Sequence, residues 1–274
     1  MSEPRTLTPV RLVCLILLTT VAWVTLVTRP AAAQTPAQTK LSQAGEWLAG
    51  RVSVHADGGY QAGSRELRDT FYYRAYGESA RFESIHDITG IGMLDFGASL
   101  RLWRRLVAGA SYSRVFGSDR AVVTGFVPHP ILFNSARIIQ PQSFSLTHVE
   151  QAVHLRIGWT LPIRQLEGVD VTVFGGPSFF NVTQGAVTAE AVGEAGGPPF
   201  SSVVVDQTKT SEHRKNGVGV HGGVDITYMV TSHIGVGVLA RFTGGSVALP
   251  SAGVATIPIN TGGIQTGGGI RFRF

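Results

Sequence analysis

Val218-Gly219-Val220-His221-Gly222-Gly223-Val224-Asp225-Ile226-Thr227-Tyr228-Met229 decides how the rest of the chain is read. Every second residue is apolar or glycine: Val218, Val220, Gly222, Val224, Ile226 and Tyr228. The residues between them, Gly219, His221, Gly223, Asp225, Thr227 and Met229, are mostly small or polar. Successive side chains of a strand point to opposite faces, so this two-residue period describes a strand with one greasy and one polar face. The pattern recurs at 149–161, where Val149, Val153, Leu155, Ile157, Trp159 and Leu161 oppose Glu150, Ala152, His154, Arg156, Gly158 and Thr160. It recurs again at 234–243 and 92–103.

A soluble β-sandwich alternates too, with its greasy face turned inward. Here the strand lengths approach the 9 to 11 residues that a tilted membrane crossing needs, and the polar faces carry glycine and charges of both signs. Beyond residue 33 no apolar run approaches 18 residues, so membrane crossing by helices is excluded. The expected fold is all-β: a transmembrane antiparallel up-and-down β-barrel of 8–10 strands, ten preferred.

The N-terminal residues obey different rules. Arg5 and Arg11 precede an apolar run at 12–27, and Ala31, Ala32 and Ala33 precede Gln34. This is the order of a secretory signal peptide, cleaved after Ala33. Residues 1–33 are therefore read as signal peptide, 34–46 as a periplasmic segment and 47–274 as the barrel, placing the protein in a bacterial outer membrane. Cys14, the only cysteine, leaves with the leader, so no thiol chemistry is expected. So do Arg5, Arg11, Arg29 and Glu3, lowering the net charge from +5 to +3. The remaining excess is spread along the chain, without a basic block of the kind that binds nucleic acid.

Connections sort by length. Short ones fall at 103–105, 162–168 and 230–232, long ones at 117–144, 183–216 and 250–261; bacterial barrels put short turns in the periplasm and long loops outside. Near the N-terminus, 47–60 reads as one strand and 70–86 as a longer one. Splitting the latter at Gly77-Glu78, into 71–76 and 80–86, gives the even count of ten. Eight, with part of this region outside the wall, is the alternative.

The last segment, 262–274, sets Ile264, Thr266, Gly268, Ile270, Phe272 and Phe274 against Arg271 and Arg273. Here the chain resembles bacterial outer-membrane barrel proteins, whose final strand ends in an aromatic residue. The resemblance implies that Ile270, Phe272 and Phe274 form the signal read by the barrel assembly machinery. With Val173-Phe174-Gly175-Gly176-Pro177-Ser178-Phe179-Phe180 and 236–242, the mature chain resembles the small barrel domains of the outer membrane protein A kind, although no peptidoglycan-binding domain is expected after the barrel.

The inferred inner face collects Arg51, His55, Asp57, Asp95, Arg101, Glu150, His154, Arg156, His221, Asp225, Arg241, Arg271 and Arg273. A barrel of this size has room for its side chains and little else, so these charges are expected to pair and plug the lumen. The alternative is a narrow, anion-favouring pore. His55, His154 and His221 lack the spacing of a metal motif; no metal and no cofactor is expected. Ser145, His148 and Glu150 lie within six residues, but nucleophilic catalysis needs a geometry that proximity does not supply. No catalytic residue is assigned and no enzymatic activity expected, lipid modification in the outer membrane being the third reading.

The stretch 125–133 is unusually apolar for an external loop. Phe126, Pro128, His129, Pro130 and Phe133 are candidates for contact with lipid, the barrel mouth or an extracellular ligand, while 183–216, with a Gly/Pro-rich centre, suggests a protruding hairpin. The whole reads as a monomer surrounded by outer-membrane lipids, serving envelope integrity or surface interaction.

Overall fold

The computed structural model describes residues 48–62, 65–88, 91–163, 167–194, 196–249 and 257–274. The expected leader and periplasmic segment, 1–46, lie outside the described residues, which begin within the expected barrel at Leu48.

Among the described residues ten antiparallel strands form: β1 (Val52–Ala62), β2 (Arg65–Ala75), β3 (Glu78–Ile88), β4 (Ile91–Trp103), β5 (Leu106–Pro128), β6 (Ala136–Pro162), β7 (Val169–Glu194), β8 (Val203–Met229), β9 (Ile234–Leu249) and β10 (Ile257–Arg273). The ring closes with eight of them, in the order β1-β4-β5-β6-β7-β8-β9-β10 and back to β1, the seam running from Ser53↔Arg273 to Ala62↔Ile264. The preferred ten wall crossings therefore become eight. The split at Gly77 is real: Ala75 pairs Glu78 across a turn in which Tyr76 and Gly77 both have positive φ, 53° and 81°. Yet β2 and β3 continue β1 and β4 upward instead of adding two crossings. β4 occupies the edge of β5 up to Gly92↔Phe116, and β3 takes over the same edge from Ile88↔Asp119 to Arg81↔Phe126. Period-two patterning reports which residues share a face and is silent on whether two segments lie side by side or end to end.

On the outer surface of β8, Val218, Val220, Ile226 and Tyr228 are exposed, while His221 opposite them is buried. The ten residue-to-residue steps from Val218 to Tyr228, at ~3.3 Å each and ~40° tilt, rise about 25 Å, the height of a barrel's apolar band. Its outer limit is visible in the register: the row Tyr112–Val153–Phe179–Val218 is followed by the polar row Arg114–Gln151–Asn181–Asn216. Asn181 Nδ2 donates to Asn216 Oδ1 at 2.6 Å. Tyr228, Trp103, Phe272 and Phe274 mark the periplasmic edge, all solvent-accessible in the isolated chain.

Inside, strand curvature leaves some positions no space for a side chain. A Cβ at Gly269 would sit 1.9 Å from the Ala56 carbonyl oxygen, and one at Gly176 2.0 Å from that of Leu155. Only glycine permits such close backbone approach.

Above the polar row the expected long loops are largely strand. The 117–144 stretch continues the β5–β6 ladder up to Pro128↔Ala136, with a register shift between Val123 and Gly125. The 183–216 stretch is indeed a protruding hairpin, paired as far as Glu194↔Val203. Together with β2 and β3 these arms form a head with its own apolar core: Phe71, Ala75, Ala80, Phe82, Ala121, Val123, Val127, Ile139, Leu146 and Val203. Phe71 and Phe82 stack at 5.1 Å.

Candidate functional site

The polar faces of the eight wall strands converge on the lumen. At the periplasmic end Arg273 donates to Asp170 at 2.6 Å, and Arg271 bridges Asp57 at 2.5 Å and Asp225 at 2.7 Å. One layer up, Arg156 donates to His55 Nδ1 at 3.2 Å and His55 Nε2 meets Asp95 Oδ1 at 3.0 Å. Arginine only donates, so Nδ1 is the bare nitrogen and Nε2 carries the hydrogen given to Asp95. Asp95 Oδ2 accepts from Arg241 at 2.8 Å.

Arg241 is the central piece. From β9 it reaches Gln265 on β10 at 2.7 Å, Asp95 on β4, and Ser111 on β5 at 3.3 Å. In the eight-strand ring β5 lies diametrically opposite β9, so this one side chain spans the lumen. Arg241 and Asp95 are both buried, at 2% and 0% exposure. Beside them Ser113, His154, Ser178 and His221 form a second hydrogen-bonded row at 2.8–2.9 Å.

Above Arg241 the chain of contacts continues without a gap. Gln265 donates to Gln61 at 2.5 Å, Gln61 to Glu150 at 3.3 Å, and Glu150 faces His148 Nε2 at 3.0 Å. His148 Nδ1 faces Gln184 Oε1 at 2.5 Å, while the Gln184 amide donates to Asp119 at 2.5 Å, and Asp119 accepts from His86 at 2.7 Å. Both nitrogens of His148 face oxygens.

A second cluster ties the tips of the head together. Arg137, buried on β6, donates to both carboxylate oxygens of Glu194 on β7, to Phe200 O at 2.7 Å and to Pro128 O at 2.9 Å. Tyr76, on the β2–β3 turn, donates to Glu194 at 2.7 Å. His129 meets Pro199 O at 3.0 Å, and Asn134 N donates to Glu78 at 3.2 Å. Arg137 holds the Glu194 carboxyl below its ordinary value, Glu194 raises Arg137 in return, and the bond to Glu194 raises Tyr76.

Of the residues singled out in the sequence, His55, Asp57, Asp95, Glu150, His154, Arg156, His221, Asp225, Arg241, Arg271 and Arg273 face the lumen and touch one another or a shared partner. Arg51 and Arg101 stand lower, around the periplasmic mouth. Ile270, Phe272 and Phe274 lie on the lipid side, and the Phe274 amide donates to Val52 O at 2.9 Å. Phe126 and Phe133 are exposed on the head, while Pro128 is buried at the head's apex. His129 and Pro130 are partly covered. Ser145 is exposed on the outer side of β6 and His148 is buried inside, so the wall separates the serine from the histidine and acid weighed as a catalytic set. His55 lies within 4.8 Å of Asp57 and Asp95 in ligand-atom spacing, but Arg241, Arg271 and Arg156 already donate to these three residues.

Gln61, Gln184, Gln265, Asp119 and His86, which carry the lumen chain upward, were not legible as site residues. Gln265 and His86 lay in stretches read as strand but drew no notice as single polar residues, while Gln61, Asp119 and Gln184 fell outside the strands as read, the last two in the long connections 117–144 and 183–216. Arg137 and Glu194 are 57 positions apart in loops whose folding no local pattern shows.

No family model and no curated protein matches the chain. Three solved structures similar to it are Neisserial surface protein A (14% identity, 81% of this chain and 97% of that one, TM-score 0.39), the outer membrane protein OprG from Pseudomonas aeruginosa (10%, 82% and 96%, 0.45), and Ail, the attachment invasion locus protein of Yersinia pestis, in complex with the heparin analogue sucrose octasulfate (8%, 81% and 99%, 0.33). The chain is a transmembrane β-barrel of the outer-membrane type. Its own geometry says so: a closed eight-stranded ring, an apolar belt about 25 Å tall and a polar interior.

Proposed function

We propose that this is a non-enzymatic protein of the bacterial outer membrane in which a closed barrel anchors a surface-contact head. Arg241 carries the reading: it joins β9 to the opposite wall and belongs to a hydrogen-bond chain running from Arg156 and His55 up to His86. An eight-stranded barrel has no space for a wide path beside such side chains. The head supplies the complementary half, because its apex offers Ile131, Leu132 and Phe133 to solvent while its core is packed and its tips are clamped by Arg137 and Glu194. Exposed apolar residues on a rigid support suit contact with an extracellular partner or surface.

Planar-bilayer recording of the refolded mature chain tests the closed lumen, with heat-modifiable gel migration as the check on folding. Folded wild type should give no discrete steps, and Asp95→Ser combined with Arg241→Ser should introduce them. Anion-favouring steps from the wild type would overturn the reading in favour of a narrow pore.

A further inference from the structure

The interior that is bridged at Arg241 is open below it. Between that layer and the periplasmic rim lies a cavity of about 80 Å³, bounded on the inner side by His55, Arg156 and Phe174 and reaching the rim at Gly50, Asp170 and Arg273. A single water occupies roughly 10–15 Å³ on this measure, so the space holds several waters or one small polyatomic ion.

Its charge is uneven. Among the described residues five arginines line it: Arg51, Arg101, Arg156, Arg271 and Arg273. The acids of the cavity are already engaged, since Asp170 accepts from Arg273 and Asp225 from Arg271 and Thr227. Arg101 has no acid within ion-pair distance among the described residues. Arg156 meets an unprotonated imidazole nitrogen of His55 and the Phe174 ring, 5.4 Å from its centroid. Two hydroxyl pairs, Ser53–Ser99 and Thr160–Thr172, add donors to the walls. Guanidinium groups present fixed forks of N–H donors suited to the oxygens of phosphate or carboxylate.

We infer that this periplasmic vestibule is a binding site for a small oxyanion of the phosphate class, held by Arg101 and Arg156. The lining comes almost entirely from inward-facing residues, so the occupant is a free, water-borne ion rather than a lipid headgroup. The site's chemistry stands apart from the closed-lumen reading; only the assignment of its mouth to the periplasm rests on the barrel's orientation.

Calorimetric titration of inorganic phosphate into the refolded full-length mature chain, in zwitterionic micelles at low ionic strength, tests this. The wild type should bind one phosphate saturably. Arg101→Gln and Arg156→Gln should each weaken binding by about tenfold, the loss of one charged hydrogen bond, and Asp170→Asn, which frees Arg273, should strengthen it. Folding of each variant is read from heat-modifiable migration. A wild type that takes up no phosphate overturns the site, as does binding indifferent to all three substitutions. Repetition in nanodiscs of phosphatidylglycerol separates the sources: binding seen in micelles and abolished there would assign the vestibule to a lipid headgroup instead. Because no current is measured, a conducting barrel with intact phosphate binding would sink the closed-lumen reading alone.

Discussion

Below the row Arg114–Gln151–Asn181–Asn216 the sheet turns Val, Ile, Phe and Tyr outward and Arg, Asp, His and Gln inward; above it Phe71, Phe82, Val123 and Ile139 are inside, while Arg74, Arg81, Arg120 and Arg214 are exposed. The same strands do both. β5 presents Ser111 and Ser113 to the lumen and, on the same side six or more residues later, Asp119, Ala121 and Val123. Along β5 the buried positions keep one parity across the boundary, and the chemistry of each face inverts where the solvent changes from lipid to water. In lipid, burying polar groups inside is the only way to satisfy them, whereas in water burying apolar groups inside is what stabilises the fold.

The two interiors should therefore fail differently. Asp95→Leu strikes the membrane half hardest, because it strands Arg241 and the His55 N–H, both buried, without the carboxylate they share. Breaking one side of a buried ion pair costs about 3–5 kcal/mol. Urea unfolding in micelles should show that loss, and Asp95→Leu with Arg241→Leu should recover part of it. If the double variant is worse than the single one, Arg241 is not held by Asp95 in the way the 2.8 Å contact implies.

Phe82→Ala is the matching blow to the head. Phe82 is fully buried against Phe71, and its truncation costs about 3–4 kcal/mol locally. The barrel below has a separate core of hydrogen bonds, so heat-modifiable migration should be unchanged while protease cuts the β2–β3 arm faster. Loss of both properties together would show that head and barrel fold as one unit.

How much of this was legible follows from the same inversion. Alternation around Val218–Met229 and 149–161 was readable because both segments stay within one solvent, where one face is uniformly apolar. It also placed His55, Asp95, Arg241 and Arg271 on one face, since strand parity needs no partner to be known. The pairing of Arg241 with Asp95, 146 residues apart, needed the ring order, which sequence parity does not contain. In 117–144 the apolar face switches sides relative to solvent, and the stretch read as a long connection, apolar at 125–133, although it is mostly ladder. β2 and β3 were found as a hairpin but misplaced in the wall, because nothing in their own residues shows that they stack on β1 and β4.

The tip clamp gives a gentler test, and one with a pH axis. Arg137 holds Glu194 below its ordinary value of 4.5, so the clamp contributes stability above that value and loses it as pH falls through the lowered folded-state pKa. Glu194→Gln should remove that dependence and cost about 1–3 kcal/mol of head stability near neutral pH, by leaving Arg137 with carbonyl partners only. Hydrogen exchange of the β5–β6 and β7–β8 tips as a function of pH reads this directly. A wild-type tip that stays protected as pH falls well below 4 would mean that the apolar core alone fixes the arms.

The smallest expected effect is the most telling about function. Phe133 is 78% exposed and Ile131 68%, so neither contributes to the packed core beneath them. Phe133→Ser should therefore change stability by no more than about 0.5 kcal/mol, the range of ordinary surface substitutions. Solubility in detergent and retention on a hydrophobic column should nevertheless change measurably, because the residue contributes to an apolar patch and to little else. If Phe133→Ser instead destabilises the head as Phe82→Ala does, the tip is part of the core and not a presented surface, and the contact role assigned to it falls while the closed barrel stands.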